Sequence, residues 1–263
     1  YTLPDHALAK PHSIKAGWQG AGMLLVTGGA GFIGSNVVAA LNDAGRTDVA
    51  VSDMLGHDGK WRNLAKRQLA DVVPPAELRD WLEGRRLDAV IHFGYAPNDI
   101  AFLRNVQDVG IKFKMLFCIY AGLETELLEK NVGEKGLEHV FTYVPPSELD
   151  YPVNFGMNMK DYKAAWDKKY PDGKIEFGFN AVAGYTTGLI LEKTLSVATS
   201  LDQMELRRAV FSLSGELKTL DGTFALDETG GQIGELTPLG QLALDDHGHI
   251  KFVSIYPHET ATG

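Results

Sequence analysis

One glycine-rich stretch, Thr27-Gly28-Gly29-Ala30-Gly31-Phe32-Ile33-Gly34, constrains the fold of this chain more than any other. It follows a short apolar run, Met23-Leu24-Leu25-Val26-Thr27, whose composition fits a buried strand. Residues 35–43 (SNVVAALND) come next and set Val37, Val38 and Leu41 on one helical face, with Gly45 placed to stop the helix. Glycines at 28, 31 and 34 between a strand and a helix form a dinucleotide-binding fingerprint. Gly28 permits the tight turn, Gly31 lets a pyrophosphate approach the backbone, and Gly34 lets helix and strand pack closely. The amides of Phe32 and Ile33 then point at phosphate oxygens, aided by the helix dipole. Asp53 closes the next apolar run (DVAVSD), 22 residues beyond Gly31. A carboxylate there accepts the hydroxyls of an adenosine ribose and repels a 2′-phosphate, which favours NAD over NADP.

Downstream, extended and helical patterns alternate. Residues 76–83 read as a helix, 87–93 as a strand, 97–109 as a helix, 114–120 as a strand, 124–131 as a helix and 138–144 as a strand. Helices follow over 157–169, 179–198 and 201–211, and segments 241–244 and 250–256 flank a turn-rich hairpin. This order predicts an α/β fold with a doubly wound, mostly parallel Rossmann-like sheet, helices on both faces and a C-terminal antiparallel hairpin. Residues 1–22 read as an irregular lead-in.

Composition is that of a globular chain, with 44% hydrophobic and 22% charged residues, so whole-chain disorder is excluded. A net charge of -9 argues against nucleic-acid or anionic-membrane partners, and no apolar run approaches the ~20 residues of a membrane span. Cys118 is the single cysteine, so no internal disulfide forms; inside an apolar run it reads as an inert buried thiol. The chain opens on Tyr1 without a leader pattern, which suggests a processed or trimmed start. The charge is unevenly spread. Residues 1–94 hold ten basic and ten acidic residues, leaving the remaining fifteen and twenty-four to the rest, and ten of twelve Phe lie after residue 94. This step suggests two origins, with divisions at 1–22, 23–94 and 95–263.

Residues 23–94 resemble the N-terminal part of the extended short-chain dehydrogenase/reductases, ADP-glycero-manno-heptose 6-epimerases above all. The carrying segments are MLLVTGGAGFIGSNVVAALNDAG, VSDML and LDAVIHFG. The resemblance implies NAD or NADP on the glycine loop, and an Asp after the third strand, matched by Asp71 in RQLADVV, against the adenine. That family needs a Tyr-x-x-x-Lys pair on one helix, because the lysine lowers the tyrosine pKa for proton exchange. The spacing occurs here only at Tyr170-Pro171-Asp172-Gly173-Lys174, where Pro and Gly break the helix that would align the pair. No catalytic residue is therefore expected, and epimerase or reductase turnover ranks last among the readings.

Residues 95–257 resemble type I periplasmic binding proteins of the Leu/Ile/Val class. The carrying segments are GYAPNDIAFLRNVQDVGI, FGMNMKDYKAAWDKKYPDGKIEFGFNAVAGYTTGLIL, TFALDETGG and HIKFVSIYP. The chain is too short for both lobes of such a receptor, so the family's ligand clamp is incomplete. The resemblance implies a small amino acid or amide as the alternative ligand. Tyr95 and Asn98 at one strand end and Tyr120 and Glu124 at the next are candidates, with helix capping as the competing explanation. Phe179 matches a cleft region by resemblance, and its helical spacing with Tyr185 and Leu189 equally fits a core position. Together the two resemblances imply an engineered or naturally recombined composite without catalysis, binding a dinucleotide or an amino acid. The epimerase-like half implies the cytoplasm and the receptor-like half the periplasm, which leaves location open. The apolar helix over 179–198, stripped of its family's packing surface, suggests a homodimer. Asp245, Asp246, His247 and His249 lack zinc-site spacing and read as a solvated turn, so no metal is expected.

Overall fold

The computed structural model describes residues 22–57, 59–111, 113–175, 177–235, 238–257 and 261. Apart from Gly22, the expected lead-in lies outside these residues. The chain divides into two compact units, between Cys118 and Ile119.

In the first unit, β1 (Met23–Thr27), α1 (Phe32–Asp43), β2 (Val49–Ser52) and β3 (Asp71–Val73) precede α2 (Leu78–Leu82), β4 (Leu87–His92), α3 (Ala96–Val109) and β5 (Met115–Cys118). The strands are parallel in the order β5-β4-β1-β2-β3. Leu24, Leu25, Val26, Val49, Ala50, Val51 and Val90 are almost wholly buried, as strands covered on both faces require. Val38 of α1 packs on Leu24, Val26, Val49, Val51 and Ala89, which fixes one face of the sheet. Successive strands run outward from β1 to β3, then return to β4 beside β1. The right-handed crossover rule therefore sets α1 and α3 on opposite faces and puts the switch point between β1 and β4. The register there aligns Ser52, Thr27, His92 and Cys118 in one row at the carboxyl edge.

The second unit holds α4 (Thr125–Val132), α5 (Glu134–Leu137), β6 (Val140–Tyr143), α6 (Met159–Lys169), α7 (Phe179–Val197) and α8 (Gln203–Ser212). A two-residue ladder of β7 (Lys218–Thr219) and β8 (Gly222–Thr223) precedes β9 (Leu239–Leu244) and β10 (Ile250–Tyr256). β6 and β10 pair antiparallel with β9, and the β9–β10 hairpin closes through Asp245 N–H to His249 O at 2.8 Å. Asn158 caps α6 by accepting from the Asp161 amide at 2.8 Å, and Asp202 caps α8 through the Met204 amide at 3.0 Å. Val182, Leu189 and Leu220 form the core under α7, while Leu191 and Leu195 on that helix are exposed. The α/β class, the parallel strands and the C-terminal antiparallel hairpin expected from the sequence are all present.

Candidate functional site

The glycine loop links β1 to α1 at the carboxyl edge of the first unit, beside the switch point. Gly28 takes a left-handed φ of +66° and donates its amide to Ser52 O at 2.7 Å. A side chain on Gly28 would also press on Phe93 O, only 2.9 Å from an ideal Cβ. Gly31 is the extended N-cap of α1, and its amide returns to Gly28 O at 3.0 Å. At Gly34 a Cβ would run into Gly28 O and approach Gly28 C and Gly29 Cα to 2.8 Å, so backbone packs on backbone. Ser35 N–H to Gly31 O, at 3.0 Å, starts the helical ladder. The amides of Phe32 and Ile33 precede it and sit at the positive end of α1. Phe32 is 85% exposed and Ile33 53%, so this helix end opens to solvent. A preformed turn, space that a side chain would fill, and open amides on a helix N-terminus fit a pyrophosphate.

Asp53 follows β2 and reaches the loop. Its Oδ2 accepts from the Ala30 amide at 2.8 Å, and its Oδ1 pairs with Lys60 Nζ at 2.7 Å. The carboxylate is buried, its side chain 6% exposed, so it is held by the loop it was expected to serve. Lys60 and Asn63, whose Nδ2 donates to Ala30 O at 2.8 Å, are part of this shell and were not foreseen. Both lie in a single-turn 3-10 helix, Lys60–Leu64, after β2, and no local pattern announces a contact 33 residues away.

The other candidates are less closely drawn together. Asp71 begins β3 instead of following it, and its Oδ2 accepts from Trp81 Nε1 at 2.7 Å, away from the glycine loop. Tyr95 is the N-cap of α3, with its amide donated to Asn98 Oδ1 at 3.1 Å, so both residues serve the helix start. In the second unit the amides of Leu123 and Glu124 donate to Tyr120 O at 2.9 Å, and Glu124 is the N-cap of α4. Phe179 opens α7 at 38% exposure, whereas Tyr185 packs on the core around Leu189. Tyr170 ends α6, Gly173 turns back on it with φ +64°, and Lys174 pairs with Asp172 at 3.1 Å, so the Tyr-x-x-x-Lys spacing lies off any helix. His247 and His249 lie in the β9–β10 turn. Burial pushes the Cys118 thiol well up from its ordinary range, with Asp99 adding to the shift.

Residues 24–107 match the NAD dependent epimerase/dehydratase family. An ADP-L-glycero-D-manno-heptose-6-epimerase from Fusobacterium nucleatum is 36% identical over 104 residues, which is 36% of this chain and 31% of that protein. In three dimensions the chain is similar to a leucine-binding protein, LivK, from Thermotoga maritima. The TM-score is 0.56 at 18% identity, over 88% of this chain and 65% of that one. A substrate-binding periplasmic protein from Ralstonia solanacearum gives a TM-score of 0.56 at 16% identity, over 83% of this chain and 64% of its own. The two likenesses are of different kinds. An epimerase-like sequence at the N-terminal end sits in a chain whose fold is shared with periplasmic binding proteins. The chain spans about a third of its epimerase relative and less than two thirds of either binding protein.

Proposed function

We propose that the first unit binds an NAD-type dinucleotide through the glycine loop without catalysing its oxidation or reduction. The observation that carries this reading is the backbone-on-backbone packing at Gly34, which holds Gly28 to Gly31 as a turn under an open helix N-terminus. Gly28, Gly31 and Gly34 shape the cradle, and the Phe32 and Ile33 amides take the pyrophosphate oxygens. Asp53 accepts the ribose hydroxyls and shares its charge with Lys60, which sets the preference for NAD over NADP. The dinucleotide supplies a hydride carrier wherever it binds, but Tyr170 and Lys174 are not presented on a helix that could exchange protons with it.

Support for the cofactor class comes from the family match over residues 24–107. A composite origin, engineered or recombined, accounts for an epimerase-like loop in a binding-protein fold. The alternative ligand is a small amino acid at Tyr95 and Asn98, at Tyr120 and Glu124, or at Phe179, the first four favoured by their places where β4 and β5 lead into helices.

Thermal unfolding with NAD, NADP or leucine titrated separately tests the choice, because a ligand of the folded state raises the midpoint by mass action. NAD is expected to raise it, and Gly31→Val and Asp53→Ala to abolish the rise. A rise with leucine alone, or turnover of a nucleotide sugar, contradicts the reading.

A further inference from the structure

Directly beneath the glycine loop lies a buried chain of three polar side chains. Thr27 Oγ1, the last residue of β1, is 2.5 Å from His92 Nδ1 at the end of β4. His92 Nε2 is 3.1 Å from Asp99 Oδ1 in the first turn of α3, a contact at ion-pair distance without hydrogen-bond geometry. Thr27 and His92 are each 6% exposed and Asp99 is fully buried. The imidazole stacks on Phe102, centroids 4.5 Å apart and 13° from parallel. Around them the backbone makes room: a Cβ on Gly94 would lie 2.9 Å from His92 Nε2 and 3.2 Å from Asp99 Oδ1. A carboxylate is not left in such a place without a partner to compensate its lost hydration.

The order hydroxyl, imidazole, carboxylate is that of a nucleophile with its base and orienter. Burial of all three keeps any substrate atom from Thr27 Oγ1, so the chain makes and breaks no bonds. Its position gives it another use. Thr27 precedes Gly28, and Gly28 turns against Phe93 O, the carbonyl of the residue after His92. Fixing His92 therefore fixes both walls of the turn that opens the cradle.

We propose that Asp99 is a positioning residue for the glycine loop, acting through His92 and Thr27 to hold the turn at Gly28 in its ligand-ready form. The benefit to binding rests on the dinucleotide reading above; the effect on the loop does not. A preorganised turn spares the ordering cost that a loose one meets on binding.

Amide hydrogen exchange of residues 28–34 in the ligand-free protein, together with NAD affinity, separates the two. Leu82→Ala, a buried core change in α2 of the same unit, controls for general loss of stability. Thr27→Val and Asp99→Asn are expected to speed exchange in 28–34 by about tenfold beyond that control, a usual size for coupling between residues in contact. Thr27→Ser, which keeps the hydroxyl, is expected to restore the wild-type rate. NAD affinity is expected to fall with the loop's protection. Exchange no faster than in Leu82→Ala, or equal in the Val and Ser variants, overturns the positioning role. If the wild type does not bind NAD, the dinucleotide reading fails and exchange alone still decides this one.

Discussion

Gly31 and Gly34 differ in what a methyl group would meet, and so in what their substitution breaks. At Gly34 the added carbon strikes backbone atoms of Gly28 and Gly29 that cannot move without opening the turn. Gly34→Ala is therefore expected to lower unfolding free energy by about 1–3 kcal/mol, measured by urea denaturation. At Gly31 the nearest atom is Gly28 O at 3.1 Å, a tight but yielding contact. Gly31→Ala is expected to leave stability nearly intact and to weaken NAD binding by about tenfold or more, read by calorimetry. Cys118 lies beside the same polar row with its thiol value raised by burial. It is expected to resist a thiol reagent in the native protein and to react once urea unfolds it. The glycines were legible in the sequence because each answers a local steric demand. Lys60, Asn63 and the His92–Asp99 pair were not, because their contacts run between one element and another, seven residues on for Lys60 and Asp99 and 33 for Asn63, at spacings no helix or strand period marks.

At the scale of elements, parallel strands such as β1 and β4 announce themselves by unbroken apolar runs, and α3 by Pro97 near its start and Gly110 at its end. β3 has three residues and β7 and β8 two each, too few to show a periodicity, so they escaped notice. Asp71 was misplaced for the same reason: without β3, its place at the start of that strand could not be read. The connection from α1 to β2 carries a pH-sensitive clasp. Arg46 Nε and Nη2 donate to Asp48 at 2.7 and 2.6 Å, and that hydrogen bonding holds the Asp48 carboxyl below its ordinary range. A carboxylate with a lowered folded-state value stabilises the fold above its unfolded value and loses that contribution as pH falls through the folded one. Asp48→Asn is therefore expected to flatten the acid limb of the stability curve, below the ordinary carboxylate range, and to leave its neutral-pH slope unchanged. An acid limb as steep as that of the wild type would remove the clasp from the account.

For the molecule as a whole, the composition step at residue 94 and the compact division after Cys118 fall at different places. Composition records where residue usage changes, whereas compactness records which strands pair. β5 pairs with β4 inside the first unit, and the family match likewise runs past residue 94, to residue 107. Assigning the cradle to the first unit alone has a consequence for the second. Leu220→Ala, in the core under α7, is expected to lower stability by about 2–5 kcal/mol while NAD affinity at a temperature where the protein stays folded is unchanged. The most direct measurement is a titration of the protein with NAD followed by the backbone amide resonances of Gly31, Phe32 and Ile33. Saturable shifts centred on those amides, lost in Gly31→Val, are the predicted result. No shift there at NAD concentrations that saturate any other part of the chain would contradict the assignment of this loop as the dinucleotide cradle.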